Sequence, residues 1–384
     1  MENIIILTII TQSFLIKNVN VYTPKGRIDS VDVLVENGII KDIGKNIKVL
    51  DNFKIIDGEF KNLYPGFINS ISAVGLVEIA AVRATNDLSE IGEFNALLKS
   101  YNAINPSSEH IRVIRSNGIL IVNSVPRGYL ISGFSSVIKL NGRTQREMVI
   151  KERTGIHIYW DNKKISKIYE FFRSAKAYLL QGNYQRDLNY DAILDVLNKK
   201  LPVFIHINNK DEIISAIEFS RAFDIKIVIV GTYGIREAIE YLKNYKIDVI
   251  LDGIHKLPKE DNPYDDIFTL PKFLNDNGIN FCISTSGSAF GIFDERNLPY
   301  HVSSSIAFGL DKITALNSIT INCAKILGID EEYGSIEKNK SATFFIADGD
   351  IFDFNSKIIR AFIDGQEIDL RNKHIELFEK YINQ

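Results

Sequence analysis

Apolar and polar residues interleave closely at both ends of the chain, whereas the middle breaks into short apolar runs separated by helical stretches. Near the N-terminus, "LIKNVNVYT" mixes branched apolar with polar residues, and "VDVLV" is joined to "GIIKDIG" through Glu36, Asn37 and Gly38. Asn-Gly is a strong hairpin signal because the tight turn needs positive φ at its central residues. This part predicts a small β-meander. At the other end, "YGSIEKNKSATFFIADGD" and "KIIRAFIDGQEIDL" carry Asp-Gly turns at Asp348-Gly349 and Asp364-Gly365, and predict further short strands. The tail "NKHIELFEKYINQ" has apolar residues at helical spacing and predicts an amphipathic helix.

Candidate strands of the middle are "GFINSIS", "GILIVNSV", "SSVIKL", "IHIYW", "LPVFIHI", "IKIVIVG", "DVILDG" and "NFCISTS". Candidate helices include "DEIISAIEFSRAF", "IREAIEYLKNY" and "TLPKFLNDNG". Strands alternating with helices imply a parallel sheet. Eight such strands suit a closed (β/α)8 barrel. The span from Asn86 to Asn105 is less regular and reads as a helix plus an extended loop. The expected fold is α/β: a (β/α)8 TIM-like barrel inserted into a small β-sandwich built from both termini. The expected boundaries are an N-terminal extension over 1–13, the composite β-sandwich over 14–64 plus 333–370, the barrel over 65–332, and a C-terminal helix over 371–384.

Composition adds limits. A chain of 384 residues with 45% hydrophobic and 24% charged residues is that of a globular protein. The formal net charge is −3 and no Lys/Arg stripe stands out, so nucleic acid is not an expected partner. The two cysteines, Cys282 and Cys323, lie far apart in apolar surroundings and read as buried small hydrophobes. Their number excludes a disulfide framework or a Cys-rich metal site. The apolar run from Ile4 to Ile10, broken only by Thr8, is open to two readings: a short signal peptide, which would mean export, or an ordinary N-terminal strand of a cytoplasmic protein. Glu2 and Asn3 supply no positive n-region, and the run is too short to span a bilayer.

The nesting, with "LYPGFI" at the join and "VLVENGIIKDIG" before it, resembles the amidohydrolase superfamily. The exit is similar too. From Gly309 to Asp350 an Ala-Leu helix leads to Thr320, Asn322 and Ala324 in a Thr-x-Asn-x-Ala pattern, followed by an Ile-Leu-Gly turn and a Gly-Ser-Ile-Glu return. These markers span nearly the whole chain. The resemblance implies a metal-dependent hydrolase of non-peptide C–N bonds, a small-molecule ligand at the barrel mouth, a divalent metal such as zinc, and a homo-oligomer. Pro65-Gly66 would turn the chain from sandwich to first barrel strand.

The site departs from the family. The first strand of the family ends in His-x-His preceded by Asp; Asn69 stands for the acid, and Ile71 and Ala73 for the histidines. The fourth strand, "IHIYW", offers no lysine, and the sixth has Gly231 and no histidine. The eighth shows Ser284, Thr285 and Ser286, with no acid before Asp294. The fifth strand keeps His206, the single remaining metal ligand that the resemblance carries over. A catalytic zinc needs about three protein ligands, so any one-metal centre would be reduced or relocated, and a binuclear centre is not expected.

Several residues could carry replacement chemistry. His206 is a candidate base or metal ligand; otherwise it is hydrogen-bonded within the old cavity. Ser286, in the hydroxyl- and glycine-rich "STSGSAFG", is a candidate nucleophile with His206 as its base, although no G-x-S-x-G elbow is present. Candidate ligand-binding residues are Glu78 and Asp87 after the first strand, His255 after the seventh, and Asn297 and His301 beyond the eighth; each is also an ordinary polar loop or capping residue. Three readings follow: a C–N hydrolase with a reduced or relocated metal centre; an inactive homologue, a pseudoenzyme that binds a ligand or helps assembly; and metal-free catalysis by His206, Ser286 and a loop carboxylate.

Overall fold

The computed structural model describes residues 13–51, 53–180, 186–259 and 261–382. The apolar run at Ile4 to Ile10 lies outside them. Strands β1 (Phe14–Thr23), β2 (Gly26–Glu36) and β3 (Ile39–Gly44) form the expected antiparallel meander. Its second turn holds Asn37 and Gly38 at φ 51 and 79, the left-handed pair that made Asn-Gly legible. Both β4 (Lys54–Asp57) and β5 (Asn62–Pro65) run parallel to β1, one along each half of it.

The chain then enters the central strands. These are β6 (Phe67–Ser72), β7 (Ile119–Ser124), β8 (Ile131–Phe134), β9 (Ser136–Lys139) and β10 (Val149–Lys151). They continue with β11 (Ile156–Tyr159), β12 (Val203–His206), β13 (Ile227–Val230), β14 (Asp248–Asp252) and β15 (Phe281–Ser284). Each of β11 to β15 pairs in parallel with the next, and β6 pairs in parallel with β7. The stretch 131–139 runs the other way: β8 is antiparallel to β11, and β9 is antiparallel to β7. Eight parallel strands were expected, and the topology differs at this third place. The reason is connection length. Only residues 125–130 join β7 to β8, whereas a parallel return needs a crossover of about a dozen residues or more. On the other side β15 lies beside β6, where the Ile71 amide donates to Ser284 Oγ at 2.8 Å.

Alternation along these strands separates two cores. Ile68, Ile121, Val137, Phe204, Val228, Ile250 and Cys282 pack together inside. Their neighbours Ile156, Ile158, Val203, Ile205, Ile229 and Leu251 face the helices. Burial on both faces explains why the parallel strands read as unbroken apolar runs. The span from Asn86 to Asn105, expected to contain a helix, holds only a short 3-10 turn at Ser100–Ala103.

The C-terminal part returns through β16 (Phe344–Ala347), β17 (Ile358–Ile363) and β18 (Gln366–Ile368). β16 lies antiparallel to β5, so both ends of the chain share one eight-stranded sheet. Its Tyr64 and Phe345 face the central strands, and Phe345 meets Phe67 edge-on at 4.9 Å between ring centres. The final helix, Lys373–Ile382, is amphipathic as expected. Among the described residues no helix is long and apolar enough to cross a membrane. The whole is an α/β fold of the TIM-barrel-containing kind with mixed sheets.

Candidate functional site

Two residues beyond the inner apolar layer, period-two alternation aims the next side chains into the same space at the strand ends. Phe204 is followed by His206, Val230 by Thr232, Ile250 by Asp252 and Cys282 by Ser284. A polar layer therefore caps an apolar one at the C-terminal ends of the strands, the end at which barrel enzymes work.

His206 lies in this layer, buried and stacked on Tyr159 at 4.1 Å between ring centres. Its Nε2 faces His157 Nδ1 at 2.9 Å, so the two imidazoles share one hydrogen bond. Burial and the nearby Arg127 guanidinium push the His157 pKa down to about 3. Burial, then His157 and Arg127, hold His206 well below the ordinary histidine range. Both rings are neutral at physiological pH. His157 Nε2, Tyr159 Oη, Arg127 Nε and Asn123 Oδ1 are buried without a hydrogen-bond partner among the described residues. Each such group costs about 1–3 kcal/mol unless water or a ligand meets it.

The β6–β15 side is different, because its polar groups are satisfied. Glu295, fully buried, comes from the 3-10 segment Phe290–Asn297 that follows β15. Its carboxylate accepts from Asn69 Nδ2 at 2.9 Å, Ser72 Oγ at 2.5 Å and the Ala73 amide at 2.7 Å. Asn69 Oδ1 accepts in turn from Ser284 Oγ at 2.6 Å and the Thr285 amide at 3.2 Å. Burial raises the Glu295 carboxyl pKa to about 7, against the pull of these donors. A third group, between β13 and β14, joins Asp252 Oδ1 to Thr232 Oγ1 at 2.8 Å and Lys256 Nζ at 2.5 Å.

The residues singled out from sequence fall in four places. His206 is central. Ser286 gives its carbonyl to Arg127, and its hydroxyl lies 3.1 Å from Ser288 Oγ; no hydrogen bond links it to His206. His255, Asn297 and His301 gather around Asp294. His301 Nε2 is 3.1 Å and Asn297 Nδ2 2.8 Å from its carboxylate, and the His255 ring stacks on His301 at 4.0 Å. The His301 hydrogen bond brings the Asp294 carboxyl down to about 2. Glu78 accepts from Asn105 Nδ2 at 3.0 Å, and exposed Asp87 is held through its amide by the Leu76 carbonyl. These two tie down the first loop.

Sequence reasoning missed His157, Arg127, Asp252 and Glu295. The first carried a usable signal: "IHI" occurs in β11 and again at 205–207, where β12 ends, with the isoleucines on the helix-facing side. Glu295 carried none, since its burial depends on contacts across more than two hundred residues of chain.

The residues do not fit the metal that the resemblance implies. Ile71 packs in the inner apolar cluster, and Ile71 and Ala73 offer only backbone amides to the polar groups here. His206 Nε2 faces another histidine, and among the described residues no three His, Cys, Asp or Glu side chains are grouped to hold a metal ion.

Residues 191–368 match the model of the Amidohydrolase family. A solved amidohydrolase from Thermotoga maritima MSB8 is 25% identical, with a TM-score of 0.85, covering 93% of this chain and 100% of that one. An adenine deaminase of Clostridium botulinum is 26% identical over 117 residues, 29% of this chain and 19% of that protein. A dihydropyrimidinase of Dictyostelium discoideum is 47% identical over 60 residues, 16% of this chain and 12% of that protein. The chain thus spans about a fifth or less of the length of these curated relatives. With the strand order, the shared terminal sheet and the polar strand-end layer, these likenesses agree on one conclusion: the chain belongs to the amidohydrolase superfamily.

Proposed function

We propose that this protein is a hydrolase of non-peptide C–N bonds in a small molecule, working at the strand-end layer around His206. In this reading the central strands are a (β/α)8-type barrel whose third strand is reversed, inserted at residues 65–332 into the terminal β-domain of 14–64 and 333–370. The observation that carries it is a set of buried polar atoms beside His206 that have no hydrogen-bond partner among the described residues: Arg127 Nε, Tyr159 Oη and His157 Nε2. Arg127 and Tyr159 supply donors for a carbonyl or carboxylate oxygen. The neutral His157–His206 pair supplies an imidazole to take a proton from attacking water, and a negative charge developing nearby raises its basicity. No step is assigned to a metal, because the residues present do not fit one.

A second reading, a ligand-binding or assembly protein without turnover, is favoured by Glu295. Its carboxylate ties up the end of β6, where the family places its histidine pair.

A panel of amides, imides, lactams and amino-substituted heterocycles, assayed with and without chelator, separates the readings. Turnover that survives chelation and is lost in His206→Ala supports the hydrolase. Turnover that appears only with added Zn²⁺, Mn²⁺ or Fe²⁺ refutes the metal-free assignment. Absence of turnover throughout, with saturable ligand binding, leaves the second reading.

A further inference from the structure

The opposite end of the same strands holds a cavity of about 500 Å³, bounded by the starts of β12, β13 and β14 and by the end of the helix Ile321–Leu327. Five lysines line it: Lys151, Lys200, Lys226, Lys246 and Lys325. Lys151 is half-buried, and its ammonium is held by the Leu327 and Gly328 carbonyls at 3.0 and 3.3 Å. Lys200 has one long ion pair, 3.7 Å to Asp195. Lys226, Lys246 and Lys325 make no ion pair among the described residues. The sole carboxylate in the lining is Asp248, engaged by Asn280 Nδ2 at 3.0 Å.

The chain as a whole carries 48 acidic and 45 basic residues, so five lysines facing one carboxylate is a local reversal of its charge balance. Like charges around a concave wall reinforce one another's potential and draw counter-ions into the recess. Lysine points to the class of anion. A planar carboxylate is best met by the arginine fork, whereas ammonium groups act as point charges that suit phosphoryl oxygens. Tyr245 forms part of the wall, with the Arg221 guanidinium over its ring at 5.3 Å, a flat surface beside the lysines.

We propose that this cavity binds a small anion carrying two or more phosphoryl groups, at a site separate from the His206 layer. Inorganic pyrophosphate and a nucleoside diphosphate share that chemistry.

Calorimetric titration of the full chain with pyrophosphate and with ADP, at ionic strength matched by sodium chloride, tests it. The wild type is compared with Lys226→Ala/Lys246→Ala and with a control pair, Lys41→Ala/Lys48→Ala, exposed on the terminal β-domain. The expected result is saturable binding that the cavity pair weakens by about tenfold or more and the control pair leaves alone. Tighter binding of pyrophosphate assigns an inorganic ligand; tighter binding of ADP assigns a nucleotide resting on Tyr245. Absence of saturation at millimolar ligand, or equal loss in both pairs, overturns the proposal. Neither outcome depends on turnover at His206.

Discussion

Replacement of Glu295 by Gln tests whether burial or hydrogen bonding governs the β6–β15 side of the strand-end layer. Burial lifts the carboxyl from an ordinary 4.5 to about 7. At about 1.4 kcal/mol per pH unit, that gap is worth about 3 kcal/mol of stability. The folded state has the higher pKa, so it holds the extra proton between pH 4.5 and 7. This contribution is complete below 4.5 and is lost as the pH rises through 7. His157 acts in the opposite sense. Its folded pKa, about 3, lies below the ordinary 6.5, so its contribution is present above 6.5 and lost as the pH falls. The two slopes overlap and partly cancel in the wild type; the difference between wild type and Glu295→Gln isolates Glu295. The variant carries its own fixed cost. Asn69 cannot turn its amide round, because its Oδ1 already accepts from Ser284 and Thr285. Either orientation of the new amide therefore sets its NH₂ against a donor, Asn69 Nδ2 in the place of one oxygen or the Ala73 amide in the place of the other, at about 1–3 kcal/mol. Urea unfolding is followed by far-UV circular dichroism and Trp160 fluorescence, and coincident midpoints qualify each pH for analysis. The variant should be the less stable at pH 4.5 and should gain about 3 kcal/mol on the wild type by pH 7.5. A constant offset across that range would refute the reasoning and show that the three donors hold the carboxylate ionised.

Three further outcomes are expected. In proton NMR, neither His157 nor His206 should titrate between pH 5 and 8, since both pKa values are depressed; a midpoint near 6.5 for either would contradict their burial. Gly287→Ala should lower the unfolding free energy from urea titration by about 1–2 kcal/mol or more, because Gly287 sits at φ +57 and an added Cβ would lie 2.7 Å from Ile71 Cγ2. Zinc should leave the urea midpoint unchanged, whereas a site filled at a hundred times its dissociation constant would add about 2.7 kcal/mol.

The architecture was legible where one residue's chemistry sets local geometry. Asn37-Gly38 announced a turn that has both residues at positive φ. Unbroken apolar runs announced strands buried on two faces. The reversed stretch 131–139 was not legible, because "SSVIKL" looks the same whichever way the strand runs, and only the six-residue connection from β7 gives the direction. The site divides in the same way. His206 could be found from its place at a strand end. Glu295, in the polar run "FDERNLP", is indistinguishable in sequence from a solvated residue. Its burial is decided by Asn69, Ser72 and Ala73, which lie far away along the chain.

The distribution of satisfied and unsatisfied groups argues for where a ligand sits. Around β6 and β15, Glu295, Asn69, Ser284 and Thr285 saturate one another, and a ligand entering there would have to break charge-assisted bonds. Around β7, β11 and β12 the balance is reversed. Asn123 Oδ1, Arg127 Nε, His157 Nε2 and Tyr159 Oη are already desolvated and have no hydrogen-bond partner among the described residues. A ligand that meets them gains bonds without a fresh desolvation cost for the protein. In the proposed reading a ligand therefore gains most beside β11 and β12, at His157 and His206. At the end of β6, Ile71 and Ala73 contribute backbone amides to the frame, donated to Ser284 Oγ and to the Glu295 carboxylate.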